Sequence, residues 1–180
     1  MLMKADAAAL LVIDVQERLA PVVVNHEQVI DNTQILMKAA VRLAVPVLIS
    51  EQYPKGLGPT VAEIAALAPA NAVIAKVDFS CMGESVYARR FKELGRRQAV
   101  IAGIEAHVCV LQTAMNLLAD NYQVFIVADA VSSRDSRSAE AAMVRLQAAG
   151  AVIVTTEMAV FEWLERAGTP AFKELSALIK

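Results

Sequence analysis

Histidine and cysteine are scarce in this chain: of 180 residues only His26 and His107, and only Cys81 and Cys109, belong to those types. Two thiols cannot build a disulfide framework, and no zinc spacing is spelled by so few ligands. A basic stripe is also lacking. The formal net charge is -2, which excludes the electrostatic footprint of a nucleic-acid binder, so no nucleic-acid partner is expected. Long hydrophobic runs are absent although 57% of the residues are hydrophobic and the mean hydropathy is +0.47. The run Ala7 to Ile13 stops well short of the roughly 18 residues a membrane span needs, so no membrane partner is expected. That run is at the short limit for a secretory signal, follows the acidic Asp6 and leads into Asp14 rather than a cleavage site. A cytoplasmic, reducing setting is the expectation.

With no repeat, low-complexity stretch or linker, residues 1–180 read as one domain. A chain of this length buries about 70% of the surface its unfolded form exposes. The apolar excess still needs cover, and an interface between copies supplies it, so a homo-oligomer is expected.

Short, near-continuous apolar runs occur at Ala8 to Ile13, Val45 to Ile49, Ala72 to Ala75, Ala99 to Ala102, Val124 to Ala128 and Ala151 to Val154. Each has the length of a strand buried on both faces. Helical spacing of apolar residues fills the intervals Glu27 to Leu43, Glu84 to Leu94, Cys109 to Ala119 and Ser138 to Ala149. Alternating strand and helix predicts an α/β fold: a three-layer α/β/α sandwich around a six-stranded, mostly parallel sheet. In such folds a ligand sits outside the carboxyl ends of the strands.

Polar residues gather at those ends. The first strand runs into Asp14, the second into Ser50-Glu51, the third into Lys76 and the fifth into Asp129, while the fourth leads through Gly103 to Cys109. Singly, Asp14 and Asp129 also read as caps, Lys76 as a solvated strand end and Cys109 as a small buried hydrophobe. Together they place an acid, a cation and a thiol around one cleft. The thiol falls where a strand hands over to a helix, a position whose free N–H groups favour an anion.

Four segments resemble the isochorismatase-like cysteine hydrolases: Leu11-Val12-Ile13-Asp14-Val15-Gln16, Lys76-Val77-Asp78-Phe79-Ser80, Gly103-Ile104-Glu105-Ala106-His107-Val108-Cys109-Val110 with Thr113-Ala114, and Val127-Ala128-Asp129-Ala130-Val131-Ser132-Ser133-Arg134. The stretch Glu51 to Thr60 is similar to the isochorismatase-domain subgroup whose members mostly lack an assigned substrate. This resemblance implies a catalytic triad of Asp14, Lys76 and Cys109. It also implies a cis peptide at Ile104-Glu105 and an oxyanion hole from the backbone N–H groups of Glu105 and Cys109. A free thiol with a pKa of about 8.5 gains thiolate from a neighbouring cation and a helix N-terminus, so a lowered thiol pKa is expected.

Nicotinamidases of the family bind metal through an Asp-x-His spacing after the second strand. Here that stretch reads Glu51-Gln52-Tyr53, so no metal and no cofactor are expected. The expected activity is metal-independent hydrolysis of a small amide-like or other C–N substrate through a thioester. The alternatives are a catalytically silent binding or scaffolding oligomer and an isochorismate-type vinyl ether hydrolase. Glu51, Tyr53, Phe79 and His107 are candidate substrate contacts; each also reads as an ordinary loop, core or surface residue. Arg134 reads equally as a carboxylate binder or an ion-pair partner. Cys81 reads as structural.

Overall fold

The computed structural model describes residues 1–179. Six strands form one all-parallel sheet: β1 (Ala8–Ile13), β2 (Val47–Gln52), β3 (Val73–Lys76), β4 (Gln98–Ile104), β5 (Gln123–Ser132) and β6 (Val152–Val154). Their spatial order is β3-β2-β1-β4-β5-β6. The chain therefore reverses its direction of winding between β1 and β4, the crevice where doubly wound sheets bind ligands.

Alternation along β1 explains the two layers of helices. Ala8, Leu10 and Val12 pack with α1 (His26–Arg42) and α7 (Thr156–Leu164), whereas Ala9, Leu11 and Ile13 pack with α4 (Ser85–Glu93), α5 (Leu111–Ala119) and α6 (Ser136–Ala148). Short helices α2 (Pro54–Leu57), α3 (Ala62–Ala65) and α8 (Pro170–Ser176) complete the set. Local signals fix several helix starts. Asp135 accepts from Arg137 N–H at α6, Thr155 from Met158 N–H at α7, and Thr169 from Phe172 N–H at α8, which also has proline in its first turn.

Two strands differ from the sequence reading in ways that matter for the site. The second begins at Val47, since Pro46 cannot donate to a ladder, and runs on through polar Ser50, Glu51 and Gln52. The fifth does not end at Asp129: its pairing with β4 jumps from Ile101↔Ile126 to Gly103↔Val131, and the extra residues turn Asp129 aside. Asp129 Oδ1 instead accepts from the N–H and hydroxyl of Thr156 at 2.8 and 2.9 Å, on the α7 side of the sheet. It fastens α7 and takes no part in the cleft.

Where β1 meets β4, Gly103 has φ +118°, and a Cβ there would stand 2.0 Å from the carbonyl oxygen of Ile13. Only glycine lets the two strands approach this closely. The approach brings Asp14, next after Ile13, beside the segment that carries Cys109.

Candidate active site

Asp14 follows the last residue of β1 with φ 52°, a left-handed conformation that aspartate tolerates better than most residues. Its side chain is fully buried. Oδ1 accepts the Ser50 hydroxyl at 2.7 Å and Oδ2 accepts the Lys76 ammonium at 2.8 Å. Asp14, at the end of β1, stands two strands from Lys76 in the order β3-β2-β1, and Ser50 lies on β2 between the acid and the cation.

Lys76 is 2% exposed, yet its ammonium has no shortage of acceptors. Besides Asp14 it meets Gln52 Oε1 at 2.6 Å and the carbonyl oxygens of Asp78 and Phe79 at 3.2 and 3.1 Å. Burial by itself lowers the Lys76 pKa, but the negative charge of Asp14, joined by the nearby cysteines only where they ionise, outweighs it and the ammonium is held above its usual range. It is a fixed cation.

Cys109 is 4% exposed and lies in a π-helical turn, Ala106–Val110, that leads into α5. The Glu105 carbonyl accepts the N–H groups of Val108 at 3.1 Å and Val110 at 3.2 Å, the latter being the five-residue bond that widens the turn. Before it the Ile104-Glu105 peptide is cis, as the resemblance implied. The expected lowering of the thiol pKa is not found. Burial, then the charge of Asp14, pushes the thiol up, against the opposing pull of Lys76. The helix terminus and the cation are both present, but desolvation outweighs them. At rest Cys109 is therefore a neutral thiol beside a carboxylate.

Gln52 was not singled out by its residue type, and it joins the other three. Its Oε1 lies 2.6 Å from Lys76 Nζ and 4.0 Å from Cys109 Sγ, while its Nε2 donates to the Val77 carbonyl at 2.8 Å. Its main chain is gripped by Gln16, which accepts from Gln52 N–H at 2.8 Å and donates to Gln52 O at 3.0 Å and Gly58 O at 2.7 Å. Period-two alternation contained the signal: Gln52 shares the Ser50 face of β2.

Glu51 points to the opposite side of the strand. Its Oε1 accepts both the N–H and the hydroxyl of Thr60, at 2.7 and 2.8 Å, and so pins the loop between β2 and α3 rather than reaching the triad. Tyr53 and Phe79 border Lys76 through their backbones: Tyr53 N–H donates to Lys76 O, and Phe79 O accepts from Lys76 Nζ. The two residues are 55% and 54% exposed. Tyr53 folds over Gly56, where a Cβ would lie 2.5 Å from the ring, and lines a cavity of about 310 Å³ with Ala75, Lys76 and Val77.

His107 Nδ1 lies 2.8 Å from Ser133 Oγ. Arg134 is an ion-pair partner: its N–H and Nε both meet Glu105 Oε2, at 2.9 and 3.1 Å. Cys81 is fully buried behind the triad, with its N–H donated to Thr113 Oγ1 at 2.9 Å. Burial and Asp14 raise its thiol pKa as well. Among the described residues no group of three or more histidine, cysteine or acidic side chains is arranged to hold a metal ion.

The chain is thus an α/β protein of three layers, with a buried acid, cation and thiol at the switch point of an all-parallel sheet. The chain belongs to the isochorismatase family of hydrolases: the isochorismatase domain model matches residues 8–158. It is 38% identical over 180 residues to isochorismatase domain-containing protein 2 of Danio rerio, covering 98% of this chain and 89% of that one. Isochorismatase domain-containing protein 1 of the same organism is 39% identical over 167 residues, and there the match spans 93% of this chain but only 59% of the relative. Among solved structures, the MAR1 ribonuclease of Caenorhabditis elegans superposes with a TM-score of 0.93 at 34% identity, covering 99% and 92% of the two chains. The YcaC protein of Escherichia coli, described as an octameric hydrolase of unknown specificity, gives 0.93 at 23% identity over 99% and 90%.

Proposed function

We propose that the protein is a metal-independent cysteine hydrolase of a small amide-like or other C–N substrate, with Cys109 as nucleophile, Asp14 as proton carrier and Lys76 as fixed cation. The observation that carries this reading is the Asp14–Lys76 pair at 2.8 Å, with both side chains at zero exposure, beside an almost buried thiol. Two opposite charges withdrawn from water are poor stabilisers, and perturbed groups of this kind gather at functional sites.

Because the resting thiol is neutral, proton transfer accompanies attack. Cys109 Sγ bonds to the substrate carbonyl carbon as its proton passes to Asp14, and the carbonyl π electrons move onto oxygen. The backbone N–H groups of Glu105 and Cys109 receive that oxyanion. Collapse breaks the C–N bond, Asp14 returns its proton to the leaving nitrogen, and ammonia or an amine departs from a thioester. Water then attacks the thioester, gives a proton to Asp14, and the carboxylic acid leaves as the thiol is reprotonated. Lys76, with all its protons engaged, holds Asp14 as a carboxylate before each proton transfer to it.

The enclosure of the three side chains favours a small molecule over a polynucleotide, whatever activity the C. elegans relative's name denotes. Tyr53, Phe79 and His107 are the side chains we assign to the mouth of the site; Glu51 is committed to Thr60. Exposed Val77 and Phe79 on the β3 edge support homo-oligomerisation, and two free cysteines accord with a reducing cytoplasm. No described helix is long and apolar enough to cross a membrane.

The test is release of ammonia or amine from a panel of small amides, ureas and carbamoyl compounds, with wild type and Cys109→Ala run in parallel. Turnover confined to wild type is expected. Equal rates in the two proteins refute the nucleophile.

A further inference from the structure

We propose that Gln52 keeps Cys109 dormant, by occupying the Lys76 proton that would otherwise reach the sulfur and by presenting the negative end of its amide dipole to the thiol. The inference rests on the reading of Cys109 as the reactive group, and adds what holds it back until substrate arrives.

An ammonium has three protons, and four acceptors compete for those of Lys76. Gln52 Oε1 is the nearest of the four, at 2.6 Å against 2.8 Å for Asp14 and 3.1 to 3.2 Å for the two carbonyls. The same oxygen is 4.0 Å from Cys109 Sγ, so it stands next to both the cation and the thiol. Its orientation is determined. Turning the amide over would set an NH2 group against the ammonium and leave the Val77 carbonyl facing an oxygen. Gln16 holds the main chain at both the N–H and the carbonyl, so the side chain has a fixed root.

Both consequences have the same sign. A thiolate beside Oε1 meets the negative end of a dipole, and it finds the cation's proton already directed elsewhere. The other titratable groups facing the sulfur are Asp14 from the end of β1, Lys76 from β3 and Cys81 from the turn before α4. Asp14 and Lys76 are needed for the chemistry, which leaves Gln52 as the uncharged contact that adds to the effect of burial and of Asp14 on the resting thiol. A thiol held neutral is also spared the oxidation to which thiolates are prone.

The experiment is alkylation by iodoacetamide, in which the thiolate displaces iodide and forms a thioether. It is followed by peptide mass at Cys109 in the full chain from pH 6 to pH 11. In Gln52→Met, which keeps the length of the side chain and removes the dipole, the midpoint of the pH profile should fall by about one unit and the rate near neutrality should rise about tenfold. In Gln52→Glu, which places a full negative charge at the same point, the midpoint should rise and the reaction slow. An unchanged or raised midpoint in Gln52→Met overturns the proposal. So does faster alkylation of both variants with no shift in midpoint, the signature of a loosened loop that merely admits reagent. Should Gln52→Met fail to fold, an unchanged or lowered midpoint in Gln52→Glu overturns it alone. Because alkylation needs no substrate, a silent amide panel refutes the hydrolase reading without touching this one.

Discussion

Removing Lys76 should damage the fold more than removing Asp14, although the two form one ion pair. In Lys76→Met the Asp14 carboxylate stays fully buried with the Ser50 hydroxyl as its remaining side-chain donor, and an uncompensated buried charge costs about 3 to 5 kcal/mol. In Asp14→Asn the buried ammonium also loses its counter-charge but keeps Gln52 Oε1 and two backbone carbonyls, so the loss should lie at the low end of that range, about 3 kcal/mol. The double variant strands neither charge, and its loss should fall below the sum of the singles by about 2 kcal/mol, the coupling expected of residues in direct contact. Since 1 kcal/mol shifts the melting temperature of a domain this size by about 2 to 4 °C, Lys76→Met should melt roughly 6 to 20 °C below wild type. Trp163 is the chain's one tryptophan and packs in the core against the sheet, so its fluorescence reports urea unfolding. All four proteins are compared at one protomer concentration, because self-association would shift apparent stability. A loss below about 1 kcal/mol for Lys76→Met, or additivity within about 0.5 kcal/mol, refutes the argument.

Two further outcomes follow from the same structure. Gly103→Ala should lose about 3 kcal/mol or more, since its Cβ would meet the backbone of Ile13, which cannot move aside; Gly150→Ala, with φ +103° but nothing within 4 Å, should lose only about 1 to 2 kcal/mol, and equal melting temperatures for the pair would contradict the close approach. Stability should also fall as pH rises above about 9: Lys76, Cys81 and Cys109 all bind their protons more tightly folded than unfolded, so their contribution is complete below their unfolded pKa values and is lost as each folded value is passed. Urea midpoints measured between pH 8 and pH 11 check the sign, and a rise over that interval contradicts it.

The sheet was legible because its strands are buried on both faces and therefore read as short apolar runs. Asp14, Lys76 and Cys109 were legible because each follows such a run and carries a group with chemistry of its own. Gln52 has no charge and no turn signal, and the apolar run of β2 stops before it; only the strand's continuation through Ser50 places it in the site. Asp129 misled for the opposite reason. It ends an apolar run like the others, but the irregular pairing of β5 carries it to the α7 face, and residue type does not announce such an irregularity. The direction of the Cys109 shift was hidden because a position at a helix start suggests an exposed thiol, whereas burial arises from segments distant in the chain. Glu51 was legible as polar, but not as the clasp of Thr60 on the far side of β2.

Sheet order and chain order together fix when the site can exist during synthesis. Asp14, Ser50, Gln52 and Lys76 leave the ribosome in that sequence, and the three strands β1, β2 and β3 that carry them are already neighbours. The acid, the cation and the glutamine that separates the cation from the sulfur can thus meet before β4 is made. Cys109 arrives last, on the far flank of β1, and β4 with Gly103 at its end must seat against Ile13 for the thiol to reach them. Cys109 thus enters a setting that is already assembled.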